Sequence, residues 1–143
     1  MLALRSLVLV LLCGSSLAAC MKAPTVAFEN ATASELIVRT SVDTWFRVSE
    51  CNSGDTMGSI NLQGTFELEP GQRLCMKAKP RKDDVPAAEL ISRVVVLRDA
   101  QRCLALTRDD IQSNLTRSGG FSAYVISEDL CAGAAQTPAG DEN

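Results

Sequence analysis

Six cysteines, at positions 13, 20, 51, 75, 103 and 131, are the side chains of this 143-residue sequence with the most chemistry to offer. A thiol can accept an acyl group, pair as a disulfide, ligate a metal or act as a nucleophile, and its neighbours decide which. Histidine is absent altogether. That removes the usual general base, the Ser-His and Cys-His nucleophile pairs and every histidine-based metal site. No CxxC spacing occurs either, so neither a zinc site nor a redox pair is expected of Cys51, Cys75, Cys103 and Cys131. The carboxylate pairs Asp83-Asp84 and Asp109-Asp110 are adjacent in sequence. Neighbours on a strand point to opposite faces and neighbours on a helix diverge, so neither pair forms a catalytic dyad by itself. The stretch Asn52-Ser53-Gly54-Asp55 lacks the ligand spacing and terminal glutamate of a calcium loop. No Gly-rich phosphate loop or serine-lysine motif occurs. No catalytic residue, metal or other cofactor is expected.

The formal charge is −3, with acidic and basic residues interspersed. A nucleic-acid surface needs a basic excess to displace counterions, so no nucleic-acid partner is expected. The densest basic run, Lys77-Ala78-Lys79-Pro80-Arg81-Lys82, meets Asp83 and Asp84 at once. A solvated hairpin end is expected there, in preference to a site for lipid headgroups or a polyanionic wall polymer. Trp45, the only tryptophan, is expected to be buried in the core, with a role as partner anchor the alternative.

Arg5 gives a short basic segment, and Leu7-Val8-Leu9-Val10-Leu11-Leu12 an apolar one too short to span a bilayer as a permanent helix. Residues 1–19 are therefore expected to be a cleaved leader, whose loss with Arg5 takes the charge to −4. Gly14, Ser15 and Ser16 follow, and the leader closes on Leu17-Ala18-Ala19-Cys20. This resembles the lipobox of bacterial lipoproteins, an aliphatic residue and two small ones before a cysteine. The resemblance implies that the Cys20 thiol accepts a diacylglycerol and that cleavage leaves it as residue one. Cys13 does not fit, because Leu12 before it is too large. The resemblance further implies two or three acyl chains, which anchor stably where one chain binds only reversibly. Met21 stands where an aspartate would signal inner-membrane retention, so the resemblance points to the outer membrane, facing the periplasm. An ordinary secretory leader cut after Ala18 or Ala19 would instead leave Cys20 a plain cysteine. In a bacterium, the triplets Asn30-Ala31-Thr32 and Asn114-Leu115-Thr116 match the glycosylation pattern by coincidence.

In the oxidising compartment that a leader implies, the four remaining cysteines read as two disulfides. Three pairings are possible. Cys51 with Cys75 and Cys103 with Cys131 is the expected one, because each pair brackets one candidate structural unit.

The length fits one domain. Residues 20–24 are expected to be a lipidated tether, 25–131 a β-rich globular domain and 132–143 a small, polar, disordered tail. Strands are expected at Val26 and Phe28, at residues 36–38 and at 44–48, with turns at 30–32 and 52–55. Phe66 and Leu68 alternate with polar residues, and after Pro70-Gly71 so do Leu74, Met76 and Ala78. That pattern predicts a hairpin setting Leu68 opposite Leu74, Phe66 opposite Met76 and Glu69 against Arg73. Residues 90–97 read as a buried strand. Thr107, Asp109 and Asp110 read as the start of a short helix carrying Ile111 and Leu115 on one face and stopped by Gly119-Gly120, and residues 121–127 as a last strand. The sum is a mainly β chain, expected as a small β-sandwich of immunoglobulin-like or transthyretin-like type with one short helix toward the C-terminus and two disulfides. A small closed barrel is the alternative.

Three functional classes follow. The leading one is a non-enzymatic binding or structural module, an envelope lipoprotein held to membrane lipid by acylated Cys20 and docking on a protein partner. The second is an inhibitor or immunity-type lipoprotein that inserts a loop, 118–121 or 52–58, into a hydrolase. An enzyme comes last.

Overall fold

Alternation of apolar side chains sets the strands. Val26 and Phe28, Leu36 and Val38, Phe46 and Val48, Phe66 and Leu68, Leu74 and Met76, and Val94 and Val96 each share one side of an extended segment and are buried. The computed structural model describes residues 24–80, 83, 85–118 and 121–134. The leader 1–19, Cys20 and most of the tether lie outside these residues. The strands are β1 (Thr25–Asn30), β2 (Leu36–Val42), β3 (Phe46–Glu50), β4 (Thr56–Ile60), β5 (Gln63–Leu68), β6 (Arg73–Ala78), β7 (Ile91–Arg98), β8 (Gln101–Thr107), β9 (Thr116–Ser118) and β10 (Phe121–Ile126). A 3-10 turn occupies Ala87–Leu90, and two short helices are α1 (Arg108–Ser113) and α2 (Glu128–Ala134).

The strands form two sheets, one of order β4-β3-β6-β1-β10-β9 and one of order β5-β2-β7-β8. Their apolar faces meet in a core that includes Phe28, Phe46, Leu36, Leu68, Leu74 and Met76, all fully buried. Each such side chain contributes about 2 kcal/mol by leaving water. The chain is thus the mainly β, two-sheet sandwich expected from its pattern. It departs from the four-plus-three antiparallel strands of an immunoglobulin constant domain, because the larger sheet has six strands and β1 runs parallel to β10.

The expected hairpin of residues 65–78 does not form. Phe66 lies opposite Val38 and Leu68 opposite Leu36 in one sheet, while Leu74 lies opposite Phe28 and Met76 opposite Val26 and Val48 in the other. Arg73 meets Glu29 at 2.9 Å in place of Glu69. The turn between the strands explains the difference. Gln72 N–H donates to the Glu69 carbonyl at 3.0 Å, and Gly71 has φ +77°. Proline followed by a left-handed glycine is the type II signature, and type II turns splay the flanking strands where a tight hairpin needs the mirror-image types. The chain therefore arches from one sheet to the other, and both apolar sets still face the core.

Asn30 holds that arch. It is buried at 0% exposure, yet all four hydrogen-bonding positions of its amide are filled. Nδ2 donates to the carbonyls of Ser34 (2.8 Å) and Leu68 (2.9 Å), and Oδ1 accepts from Thr32 N–H (2.9 Å) and Oγ1 (2.7 Å). Its backbone joins both sides of the turn, with its N–H donating to Gln72 and its carbonyl accepting from Gly71. One residue thus ties β1, the following loop and the crossing between the sheets. The glycosylation-like triplet is this buried turn.

Thr107 opens α1 as expected. Its hydroxyl and the Asp110 carboxylate form a reciprocal capping box, and Ile111 is buried at 0%. The helix ends at Asn114 and not at the glycine pair, which lies outside the described residues. Asn114 Nδ2 caps the Asp110 carbonyl at 2.8 Å, and extended β9 follows. A second helix, α2, runs three residues past the expected domain end at 131, and residues 135–143 are outside the described residues. Cys131 on α2 pairs with Cys103 on β8, with Cα atoms 4.6 Å apart. Cys51 pairs with Cys75 on β6 at a Cα separation of 5.1 Å. Both are the pairings expected from the sequence. Such bridges each stabilise by about 3 kcal/mol in the chain-entropy account.

Two outcomes follow for stability. Asn30→Ala leaves the Ser34 and Leu68 carbonyls and the Thr32 donors without the amide, and urea unfolding should show a loss of about 3 kcal/mol; a loss near zero would mean that the arch holds without it. The Thr107 backbone N–H, and then its hydroxyl, hold the Asp110 carboxyl below its ordinary value of 3.8. A carboxyl depressed in the folded state adds stability that is present above its unfolded pKa and lost as pH falls through its folded one. Asp110→Asn should therefore melt lower than the parent near neutral pH and match it in strong acid. A difference unchanged by acid would refute the cap's charge as the cause.

Candidate functional site

The outward faces of the sheets hold the groups available to a partner. On the four-stranded sheet the cross-strand register forms three rows: Gln63, Ser41 and Arg93; Thr65, Arg39 and Val95; Glu67, Ile37, Leu97 and Arg102. Facing residues in a row share one side of the sheet. Arg39, Arg93 and Arg102 thus lie on one face, and all three line a shallow depression of about 240 Å³. The carboxylate in these rows is Glu67, and three strand spacings, about 14 Å, separate its strand from that of Arg102. The Arg39 and Arg102 side chains are exposed and make no hydrogen bond or ion pair among the described residues.

Other arginines are engaged. Arg73 meets Glu29, Arg98 meets Glu128 at 2.7 Å and Arg108 meets Asp43. Half-buried Ile37, Val95 and Leu97 run between the three arginines of the face. Planar guanidinium forks bind carboxylates in pairs of parallel hydrogen bonds, and arginine interleaved with aliphatic area is the composition of protein interfaces. Strand alternation places these residues. Sequence reading missed them because the arginines are scattered through β2, β7 and β8 and meet only through pairing. The usable signal was that alternate positions of residues 37–41 and 93–97 are outward-facing once 38, 40, 94 and 96 are assigned to the core.

The outer face of the six-stranded sheet is different. The Cys51–Cys75 bridge lies on it, over buried Ala27 and Ala123 and beside half-buried Phe121. Next to the bridge is a depression of about 220 Å³ whose lining includes Arg47 and Lys77. The Cys103–Cys131 bridge belongs to the core instead, both cysteines being buried there.

The remaining candidates are scattered. Asp109 and Asp110 sit in the first turn of α1, with Asp110 committed to the cap. Asp83 is exposed, while Asp84, Arg81 and Lys82 lie outside the described residues. The 52–55 loop is a turn whose Ser53 backbone N–H donates to Glu50 at 2.5 Å. That hydrogen bond, with the Ser53 hydroxyl second, holds the Glu50 carboxyl below its ordinary range. Burial pushes the Tyr124 phenol up. Among the described residues no group of three Cys, Asp or Glu side chains could hold a metal. Trp45 is not a core residue as expected. It is half-buried just before β3, with Lys79 Nζ 5.8 Å from its ring centroid.

Because Arg39 and Arg102 touch no carboxylate, the fold does not depend on their charge. Arg39→Glu with Arg102→Glu should change unfolding free energy by less than about 0.5 kcal/mol, and a larger loss would assign the arginines to stability. No family model, no curated protein and no solved structure matches the chain.

Proposed function

We propose that this chain is a membrane-anchored envelope lipoprotein whose domain is a non-enzymatic binding module, with the arginine face of the four-stranded sheet as the surface that meets an acidic protein partner. The observation that carries the reading is Arg39 and Arg102, unpaired on an open face with interleaved aliphatic side chains. The face offers wide, shallow contact, which suits recognition of a macromolecule. The Leu17-Ala18-Ala19-Cys20 pattern supports the anchor, and two disulfides suit an oxidising compartment. A partner protein is favoured over a free polyanion because Ile37, Val95 and Leu97 would be buried only by apolar surface.

A second reading, an inhibitor that plugs a hydrolase, rests on the exposed turn 52–55, which leads into β4 at Thr56 and which the Cys51–Cys75 bridge pins at its base. Capture of a hydrolase through that loop would favour it.

The test combines labelling with site-directed crosslinking. The parent chain should incorporate radioactive palmitate and fractionate with membranes, and Cys20→Ser should do neither. A photo-crosslinker at Thr65, inside the arginine face, should trap an acidic envelope protein, and Arg39→Glu with Arg102→Glu should abolish the adduct. Normal labelling of the Cys20 variant would reject the anchor, and an adduct indifferent to the charge reversal would reject the face.

A further inference from the structure

The six-stranded sheet carries a second surface that the partner-binding reading does not use. Arg47 lies opposite Lys77 in the β3–β6 register, and Lys77 lies opposite Thr25 in the β1–β6 register. Like charges set directly opposite on one sheet face repel, and the arrangement becomes favourable when an anion sits between them. Just beyond the paired ends of β3 and β6 stand Trp45 and Lys79, in cation–π contact. Phe121 borders the depression that Arg47 and Lys77 line, and among the described residues no carboxylate lines it. Asp43, two residues before Trp45, pairs with Arg108.

The chain also enters the domain at this end. The Pro24 carbonyl accepts a hydrogen bond from Ala78 N–H at 2.9 Å. Cys20 is four residues earlier, a span of about 14 Å at most. We propose that the Trp45–Arg47–Lys77–Lys79 corner of the six-stranded sheet is a docking face for anionic phospholipid headgroups, seating the domain on the membrane in one orientation. The proposal rests on the lipoprotein reading, which brings this corner to the bilayer. Three cations with two aromatic rings match the chemistry of a membrane interface, where Lys and Arg meet phosphate and indole sits at headgroup depth. The basic run beginning at Lys77 thereby gains a role that its sequence neighbours Asp83 and Asp84 argued against. Strand pairing sets Lys77 beside Arg47 on the sheet and the cation–π contact sets Lys79 beside Trp45, whereas Asp83 lies further along the chain.

Trp45 is the only tryptophan, so its emission reports this corner alone. The protein purified from membranes is reconstituted on vesicles of phosphatidylcholine and on vesicles containing phosphatidylglycerol, and flotation and Trp45 fluorescence are read together. The expected result is flotation on both, with a blue shift and protection from aqueous quencher only on the anionic vesicles. Each basic residue near an anionic surface strengthens attraction by about fivefold, so Arg47→Glu with Lys77→Glu should remove most of the shift while flotation continues. Arg39→Glu with Arg102→Glu, on the other sheet, should leave it intact. Equal emission on the two vesicle types, with the protein afloat, overturns the docking face. Loss of flotation on phosphatidylcholine with the anionic shift retained overturns the acyl anchor and leaves the docking face standing. Failure to float on either overturns both.

Discussion

The Asn30 amide has two donors and two acceptor positions, and the interior of this sandwich satisfies all four. A buried amide with any of them empty would cost folding free energy, so the groups around it have little freedom to move apart. What they belong to gives the residue its reach. Leu68 ends β5 in one sheet, Gly71 and Gln72 form the arch, and Asn30 ends β1 in the other sheet. The Ala31 N–H then donates to the Ile126 carbonyl at the end of β10. Spacing between the sheets, the route of the chain across it and the place where the parallel pair ends are fixed at one point.

The two bridges work at other places. Cys103–Cys131 lies in the core and pins α2 to β8, where the helix also carries Glu128 to Arg98 and to the Ala33 N–H. Cys51–Cys75 lies on the outside of the larger sheet and fixes the loop after β3 to the adjoining strand. With Asn30 at the end of β1 and α1 capped by Thr107 and seated through Ile111, different parts of the sandwich are held by different devices.

Most strands were readable because alternation is a local property, and the cap at Thr107 was readable because a capping box spans four residues. The disulfide pairing was as expected, although the strands between Cys51 and Cys75 belong to both sheets and the bridge joins the end of β3 to its neighbour β6. The residues 65–78 were misread at the level of pairing. Alternation says which side chains are buried and not which sheet buries them, so a hairpin and an arch present the same pattern, and only the Pro70-Gly71 turn type separates them. β8 escaped notice because its hairpin turn, Arg98 to Gln101, uses Asp99 and Ala100 at φ 52° and 61° in place of glycine. The arginine face was invisible for a simpler reason. It assembles from three strands, of which β2 and β7 are neighbours in the sheet but have four other strands between them in the chain.

The position of β1 has a mechanical consequence. It is an interior strand, bonded along its length to β6 on one side and to β10 on the other. A tension entering through the residues before Thr25 runs along the strand axis, so the ladder bonds on both flanks bear it together as a shear load. An edge strand pulled sideways would instead unzip, its hydrogen bonds breaking in succession. A domain held by its N-terminus and tugged by whatever it grips would therefore yield late, with its lifetime under force set by how fast it unfolds and not by its equilibrium stability.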